Sequence, residues 1–323
     1  MKKYHGVYAS FIEQYINFKQ HLGYKFIDAE YTYALLDRFT IEHGYTTIGI
    51  TKELADKWAD KRPNESDSTR YRRVMYLIQL ASFINEAGYP SYIPKLPRTY
   101  KSTFTPYIFS QIELQAIFKA CDSLEPNVNM NSMHNVMPVL LRVLYGTGIR
   151  VGEAVALKNR DVQLQDRYFI IRDSKNGRDR MIPITESLAE VCRCYKNSLP
   201  GFYEPDQYFF VRRNGQKCTP KPAYEWFRKI LYIAGITHGG KGYGPRLHDI
   251  RHLFSICALV QMAKAGLDLY YSLPILSAYL GHQSLEATDR YVRLASDLYP
   301  DLIADANTIC AYVFPEVRRH AAD

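Results

Sequence analysis

The chain has little of what marks a secreted, membrane or metal-dependent protein. No apolar run approaches the roughly 18 residues needed to cross a bilayer. The opening Met1-Lys2-Lys3 leads into Tyr4, His5 and Gly6 rather than the apolar core of a signal peptide. The six cysteines, at 121, 192, 194, 218, 257 and 310, contain no CxxC pair. That spacing argues against a zinc ribbon or a redox motif, and several lie in apolar runs, so they read as reduced core residues. Neither GxxxxGKS/T nor GxGxxG occurs, which removes the usual phosphate-cradling loops. His248 and His252 have the spacing of a metal pair on one helix face, but no Glu follows His248 and no third ligand is evident. The expectation is a soluble, intracellular protein with no membrane association, no bound metal and no cofactor.

What is there is basic and aromatic. The 323 residues carry 41 Lys and Arg against 33 Asp and Glu, a net charge of +8, which favours a polyanionic partner. Tyrosine is abundant, at 27. The length suits two domains, each able to bury its own core.

Residues 1–88 read as a small helical bundle. Tyr8, Phe11, Ile12, Tyr15, Ile16 and Leu22 recur at helical spacing up to Gly23, and Leu35, Leu36 and Phe39 continue the pattern to Gly44. Thr51 can cap a short third helix with Leu54, Ala55 and Trp58 inward; Val74, Leu77, Ile78, Ala81 and Ile84 mark a fourth, stopping at Gly88. At its start Arg70, Arg72 and Arg73 form a basic group suited to DNA phosphates, although a solvated helix face would look the same. Residues 89–108 lose the periodicity. Four prolines alternate there with Lys95, Arg98 and Lys101, giving an interdomain linker able to lie along nucleic acid. Ser110 and Glu113, ahead of Leu114, Ile117 and Phe118, then form a capping box that opens a second domain over 109–323.

In that domain the stretch 144–157 places Gly146 and Gly148 in a tight turn before Arg150, at the start of a short helix with Val151, Ala154, Val155 and Leu157 inward. Residues 168–172 and 178–184 read as two strands joined by Asp173-Ser174-Lys175-Asn176-Gly177, with Asn-Gly at the tip. Lys175 is thus presented on a turn, where most lysines are merely solvated. The stretch 244–252 opens a helix on a Gly-Pro break. It sets His248 and Arg251 three apart on one face, where an imidazole and a five-donor guanidinium could meet a phosphate. A surface pair near a helix start is the plainer reading of that motif alone.

Together these pieces carry a resemblance. Gly-Thr-Gly-Ile-Arg150-Val-Gly-Glu153-Ala, the hairpin Lys175, Leu-His248-Asp-Ile-Arg251-His, Leu280-Gly281-His282-Gln-Ser and Thr288-Asp-Arg-Tyr291 resemble, in this order, the signature of tyrosine recombinases of the phage-integrase and Xer type. The resemblance spans residues 109 to about 293. It implies a mainly α (α+β) fold: an N-terminal SAM-like helical core-binding domain, then a catalytic domain with a small antiparallel sheet. The interval from Arg251 to His282 is longer than in Xer proteins and contains a Leu-Pro segment similar to that of Tn554-type transposon recombinases, which leans the reading toward a mobile element.

The implied chemistry uses Tyr291 as nucleophile, forming a 3′-phosphotyrosyl link and freeing a 5′-hydroxyl. Arg150 and Arg251 would stabilise the phosphoryl charge, and Lys175 would protonate the leaving oxygen. His248 would assist proton transfer at the tyrosine, His282 would bind the phosphate, and Glu153 would orient Arg150 or a neighbour. Tyr279 is close enough to compare as nucleophile, but Tyr291 has the register with His282 and Arg290. The implied partners are double-stranded DNA with inverted half-sites and a possible directionality factor. The implied assembly is a homo-tetramer on synapsed DNA and a monomer or weak oligomer when free, in the bacterial cytoplasm at the nucleoid. A Xer-like dimer resolvase, a type IB topoisomerase and a catalytically silent DNA-binding protein are the alternative readings. The apolar residues after Tyr291, including Leu294, Leu298, Leu302 and Ile303, suit a helix that docks on its own domain or, as in the resembling family, on a neighbour.

Overall fold

The computed structural model describes residues 4–98, 105–125, 132–172, 179–199, 201, 204–240, 244–282, 288 and 291. Lys101, the hairpin tip with Lys175, Cys310 and the apolar segment after Tyr291 lie outside the described residues. The chain divides into two compact units, Met1–Phe104 and Thr105–Asp323.

The first unit is built from α1 (Ala9–His21), α2 (Ile27–Glu42), α3 (Lys52–Ala59) and α4 (Asp67–Glu86). Local chemistry sets the starts of α3 and α4: the Thr51 and Ser66 hydroxyls accept from the amides of Leu54 and Thr69. Much of the tyrosine is core here. Tyr4, Tyr8 and Tyr33 are fully buried around Trp58, Leu36 and Leu77. A buried phenol needs a partner, and Tyr8 donates to the Gly49 carbonyl at 2.9 Å and Tyr33 to that of Tyr76 at 3.1 Å.

One arginine of the expected DNA-binding group points the wrong way. Arg73 is 4% exposed, and its guanidinium bonds Glu65 at 2.8 and 2.9 Å, donates to the Asp60 carbonyl at 2.9 Å and lies over the Trp58 ring. Arg73, Leu77, Ala81 and Ile84 occupy the inward face of α4, so one helical step of about 100° turns Arg73 inward and leaves Arg72 outside. Arg73 is therefore an interior ion pair rather than a phosphate contact. Arg72 is exposed, with Asp28 at 3.9 Å. Arg70 is half-buried and donates to the Ala59 carbonyl. After α4 the chain runs without helix or strand to Arg98, and its first part is tied down by paired bonds between Asn85 and Ser91 and by Tyr92 to the Ile50 carbonyl. Lys95 and Arg98 are exposed.

The second unit centres on α6 (Met137–Thr147), which is buried on nearly every side and packs against α5 (Gln111–Asp122), α8 (Glu186–Asn197), α9 (Pro220–Ile233) and α10 (Asp249–Lys264). Both reciprocal bonds of the Ser110–Glu113 capping box are present at the start of α5. Beside α6 lie the one-turn α7 (Val151–Ala154) and an antiparallel sheet ordered β1 (Val162–Gln163), β2 (Tyr168–Ile171), β3 (Arg180–Pro183). The register pairs Phe169 with Ile182 and Ile171 with Arg180. β1 is two residues long and has no sequence signal of its own. The last described helix is α11 (Leu269–Leu280), packed on α10. Of the cysteines read as core residues, 121, 192 and 218 are buried and Cys257 half-buried. Cys194 instead sits on the outer face of α8, 3.6 Å from a Glu190 oxygen. Among the described residues no helix is long and apolar enough to cross a membrane.

Candidate active site

Four elements deliver the site: the turn after α6, strand β3, the start of α10, and the chain after α11. Gly148 ends α6 in the left-handed region, and its carbonyl accepts from Arg251 Nη1 at 2.8 Å. A Cβ there would lie 2.2 Å from Phe254, so a residue with no side chain lets the turn meet α10. Gly281, also left-handed at φ +66°, turns the chain after α11 so that the Leu280 carbonyl takes Arg251 Nη2 at 2.8 Å and its own carbonyl takes Arg150 Nη2 at 3.2 Å.

Arg251 is 3% exposed. Burial, then the neighbouring Arg150, lowers its pKa to about 10, and the guanidinium stays charged at neutral pH. Arg150 is more open and rests on Glu153, Nη1 to Oε1 at 2.8 Å, while its backbone amide donates to Oε2 at 2.9 Å. Glu153 also takes both terminal nitrogens of Arg180, at 2.7 and 3.2 Å. Burial works to raise this carboxyl, but the bonds from Arg180 and from the Arg150 amide outweigh it and hold it below the usual carboxylate range.

His282 reaches Arg251 Nη2 through Nε2 at 3.0 Å and Thr288 Oγ1 through Nδ1 at 2.8 Å. Because a guanidinium can only donate, Nε2 is the acceptor and the hydrogen sits on Nδ1. Burial, then the Arg251 and Arg150 cations, lowers this imidazole to about 4, so it is neutral at physiological pH. His248 precedes α10, with its ring edge-on to His252 at 4.9 Å. The protein packed around it and then the Arg251 and Arg246 cations push it below the ordinary histidine range.

Tyr291 is 3% exposed, seated against Ile256, Leu259, Leu276 and Leu280, with its ring stacked at 6.1 Å on His282. Its hydroxyl lies 3.0 Å from His252 Nδ1. Tyr279 is occupied elsewhere: it stacks on Phe254, and burial raises it to about 12.

The structure thus gathers Arg150, Glu153, His248, Arg251, His282 and Tyr291 at one place. Lys175 lies outside the described residues, and Arg70, Arg72, Lys95 and Arg98 belong to the other unit. Sequence reasoning missed Arg180, Thr288 and the part played by His252. Arg180 had a signal: it shares strand parity with buried Ile182, so it had to face inward and find a carboxylate.

A fold of this kind, a helical unit followed by a helical unit with a three-stranded sheet, recurs in solved DNA recombinases. Lambda integrase bound to its core site superposes with a TM-score of 0.62 at 18% identity, over 87% of this chain and 94% of that one. The Tn1549 transposon integrase with transposon right-end DNA gives 0.60 at 16% identity, over 90% and 99%. In sequence, the chain is 28% identical to a protein of Sinorhizobium fredii named as an integrase/recombinase, y4rB, across 89% of this chain and 93% of that one. It is also 28% identical to the tyrosine recombinase XerA of Pyrococcus horikoshii, across 86% and 87%. The class is that of the tyrosine recombinases, enzymes that cut and rejoin DNA. The model of the phage integrase family matches residues 108–297, more than half of the chain, and the chain belongs to that family.

Proposed function

We propose that this protein is a site-specific recombinase that integrates or excises a mobile genetic element through a Tyr291 phosphotyrosyl intermediate. The observation that carries this is the convergence of two guanidinium groups, a neutral imidazole and one buried phenol from segments as far apart as residues 150 and 291. Tyr291 Oη attacks phosphorus, the bond to the 5′-oxygen breaks, and the leaving oxygen takes a proton, supplied by Lys175. A 5′-hydroxyl from a second duplex then reverses the step. The bond is conserved, so the site's task is to stabilise phosphoryl charge, which suits the fixed forks of Arg150 and Arg251. His248 and His282 flank those forks, and Glu153 orients Arg150.

The substrate is duplex DNA with inverted half-sites, contacted also by Arg70, Arg72, Lys95, Arg98 and Lys101. The enzyme is a monomer or weak oligomer when free and a tetramer on synapsed DNA, aided by a directionality factor, and it works at the bacterial nucleoid. The mobile-element role draws support from the Tn1549 integrase solved with transposon-end DNA, and the tetramer from lambda integrase solved as a tetramer on a Holliday junction.

Tyr291→Phe removes the attacking oxygen and little volume. On a nicked duplex obtained by covalent capture from a randomised pool, the variant should bind as the native chain does and form no protein–DNA adduct. Adduct that survives in Tyr291→Phe and vanishes in Tyr279→Phe would move the nucleophile. EDTA should leave native cleavage unchanged, since no step uses a metal.

A further inference from the structure

We propose that His252 is the catalytic residue that takes the proton from Tyr291 during strand cleavage and returns it during rejoining, with Asp249 holding its tautomer. This rests on Tyr291 being the nucleophile.

The geometry is a line of three groups across one end of α10. Tyr291 Oη lies 3.0 Å from Nδ1 of His252, and Nε2 of the same ring lies 4.0 Å from Oδ1 of Asp249. All three residues are buried, Asp249 most of all at 1% exposed. The i, i+3 spacing of Asp249 and His252 puts both on one face of α10. A carboxylate near Nε2 favours the hydrogen on that nitrogen, which leaves the Nδ1 lone pair to accept from the phenol. His252 is the ring whose nitrogen reaches the phenol, its centroid 5.5 Å from that of Tyr291, and His248 packs edge-on against the His252 ring at 4.9 Å.

The chemistry needs such a group. A phenol is a far weaker nucleophile than a phenolate, so attack on phosphorus needs a partner that takes its proton as the new bond forms. The step balances: as Tyr291 Oη bonds to phosphorus, its proton moves to Nδ1, and the new imidazolium faces the Asp249 carboxylate. The 5′-oxygen departs with the proton that Lys175 supplies. In rejoining, the 5′-hydroxyl attacks phosphorus and gives its proton back to Lys175, the phosphotyrosyl bond breaks, and Nδ1 returns the proton to the phenolate. Asp249 is itself bonded by Arg246, whose amide and guanidinium reach it at 2.8 and 3.0 Å, which fixes the carboxylate's direction.

The experiment uses the full chain on the captured nicked duplex, first establishing that Tyr291→Phe abolishes the adduct. Failure at that point removes the underlying reading rather than this proposal. His252→Asn keeps a polar atom near the Nδ1 position, and His252→Gln keeps the length; neither can carry a proton. Single-turnover cleavage should fall about a hundredfold in both with affinity for the duplex held within about threefold, the range expected for losing a general base. A duplex with a bridging 5′-phosphorothiolate, whose leaving sulfur needs no proton, should restore a Lys175→Ala enzyme but not the His252 variants. A more acidic fluorotyrosine at 291 should recover part of the loss in His252→Asn. Cleavage near the native rate, or rescue by the phosphorothiolate, would overturn the assignment. Nitrogen-resolved NMR of the native, histidine-labelled chain gives a check independent of any variant: His252 should carry its hydrogen on Nε2, and an Nδ1-bound hydrogen would refute the proposal.

Discussion

Glu153 is where one side chain holds the most of the site together. Two guanidinium groups from different elements share its carboxylate, and each also holds a backbone carbonyl of the segment that leads into His282: Arg150 that of Gly281, Arg180 that of Tyr279. Removing the charge while keeping the shape leaves two cations facing an amide. Glu153→Gln should therefore cost about 3 kcal/mol, the order measured when one partner of a buried pair is removed. That corresponds to a fall in Tm of roughly 8 °C for a unit of this size. Cleavage should fall with it while DNA affinity is largely kept, because Arg150 loses its aim rather than its charge. Thermal melts and adduct formation on the same variant check both, and an unchanged Tm would show that Arg180 has no need of the carboxylate. At this scale the sequence was legible in which residues come together wherever each sits in a motif of its own, as for Arg150, Arg251 and His282. It was opaque where the role is a partnership across 27 or 39 positions, as Arg180 makes with Glu153 and His252 with Tyr291. Nothing local to either residue encodes the other.

At the scale of elements, caps and breaks were readable because they are short-range chemistry: the Ser110–Glu113 box and the Thr51 cap stand where their side chains dictate, and Gly23, Gly44 and Gly88 follow helix ends in the left-handed conformation that glycine adopts freely. Helix phase was less so. Three arginines near the start of α4 look alike in sequence, yet each step turns the direction by about 100°, and only the positions of Leu77, Ala81 and Ile84 show that Arg73 goes inward. β1 escaped notice because two residues carry no periodicity; it exists only because β2 offers an edge. The junction of α6 with α10 gives the element-scale prediction. Gly148→Ala would place a methyl group 2.2 Å from the Phe254 ring at a φ of +61°. Overpacking and backbone strain together should cost about 2–4 kcal/mol and shift the carbonyl that holds Arg251. Chemical denaturation should show the loss, and cleavage should fall further than the loss of folded protein accounts for. Stability equal to the native chain would mean that Phe254 swings aside.

For the whole molecule, the two units have separate cores, one around Trp58 and Tyr33, the other around α6 and α10. Each has the length of an ordinary independently folding domain. That separation makes a test of how the chain grips DNA feasible with the catalytic unit by itself. The cations expected to meet phosphates before residue 105 are Arg70, Arg72, Lys95, Arg98 and Lys101; Arg73 is excluded because Glu65 holds it in the interior. DNA affinity of this kind comes from counterion release, so every phosphate that is no longer neutralised by a side chain takes about 0.9 off the slope of log affinity against log salt. If the first unit and the following linker contact the duplex as well as the catalytic unit, a fragment of residues 105–323 should bind the same duplex far more weakly, with a slope shallower by about 4 to 5 units. Charge reversal at Lys95 and Arg98 in the full chain should reproduce part of that difference, lowering the slope by about 2 and weakening all duplexes alike, since bonds to phosphate carry no base sequence. The Arg73→Met variant should leave the slope unchanged while lowering the melting temperature of the first unit, because its charge is spent on Glu65. Titrations at a series of salt concentrations distinguish these cases, and equal slopes for fragment and full chain would confine the DNA interface to the catalytic unit.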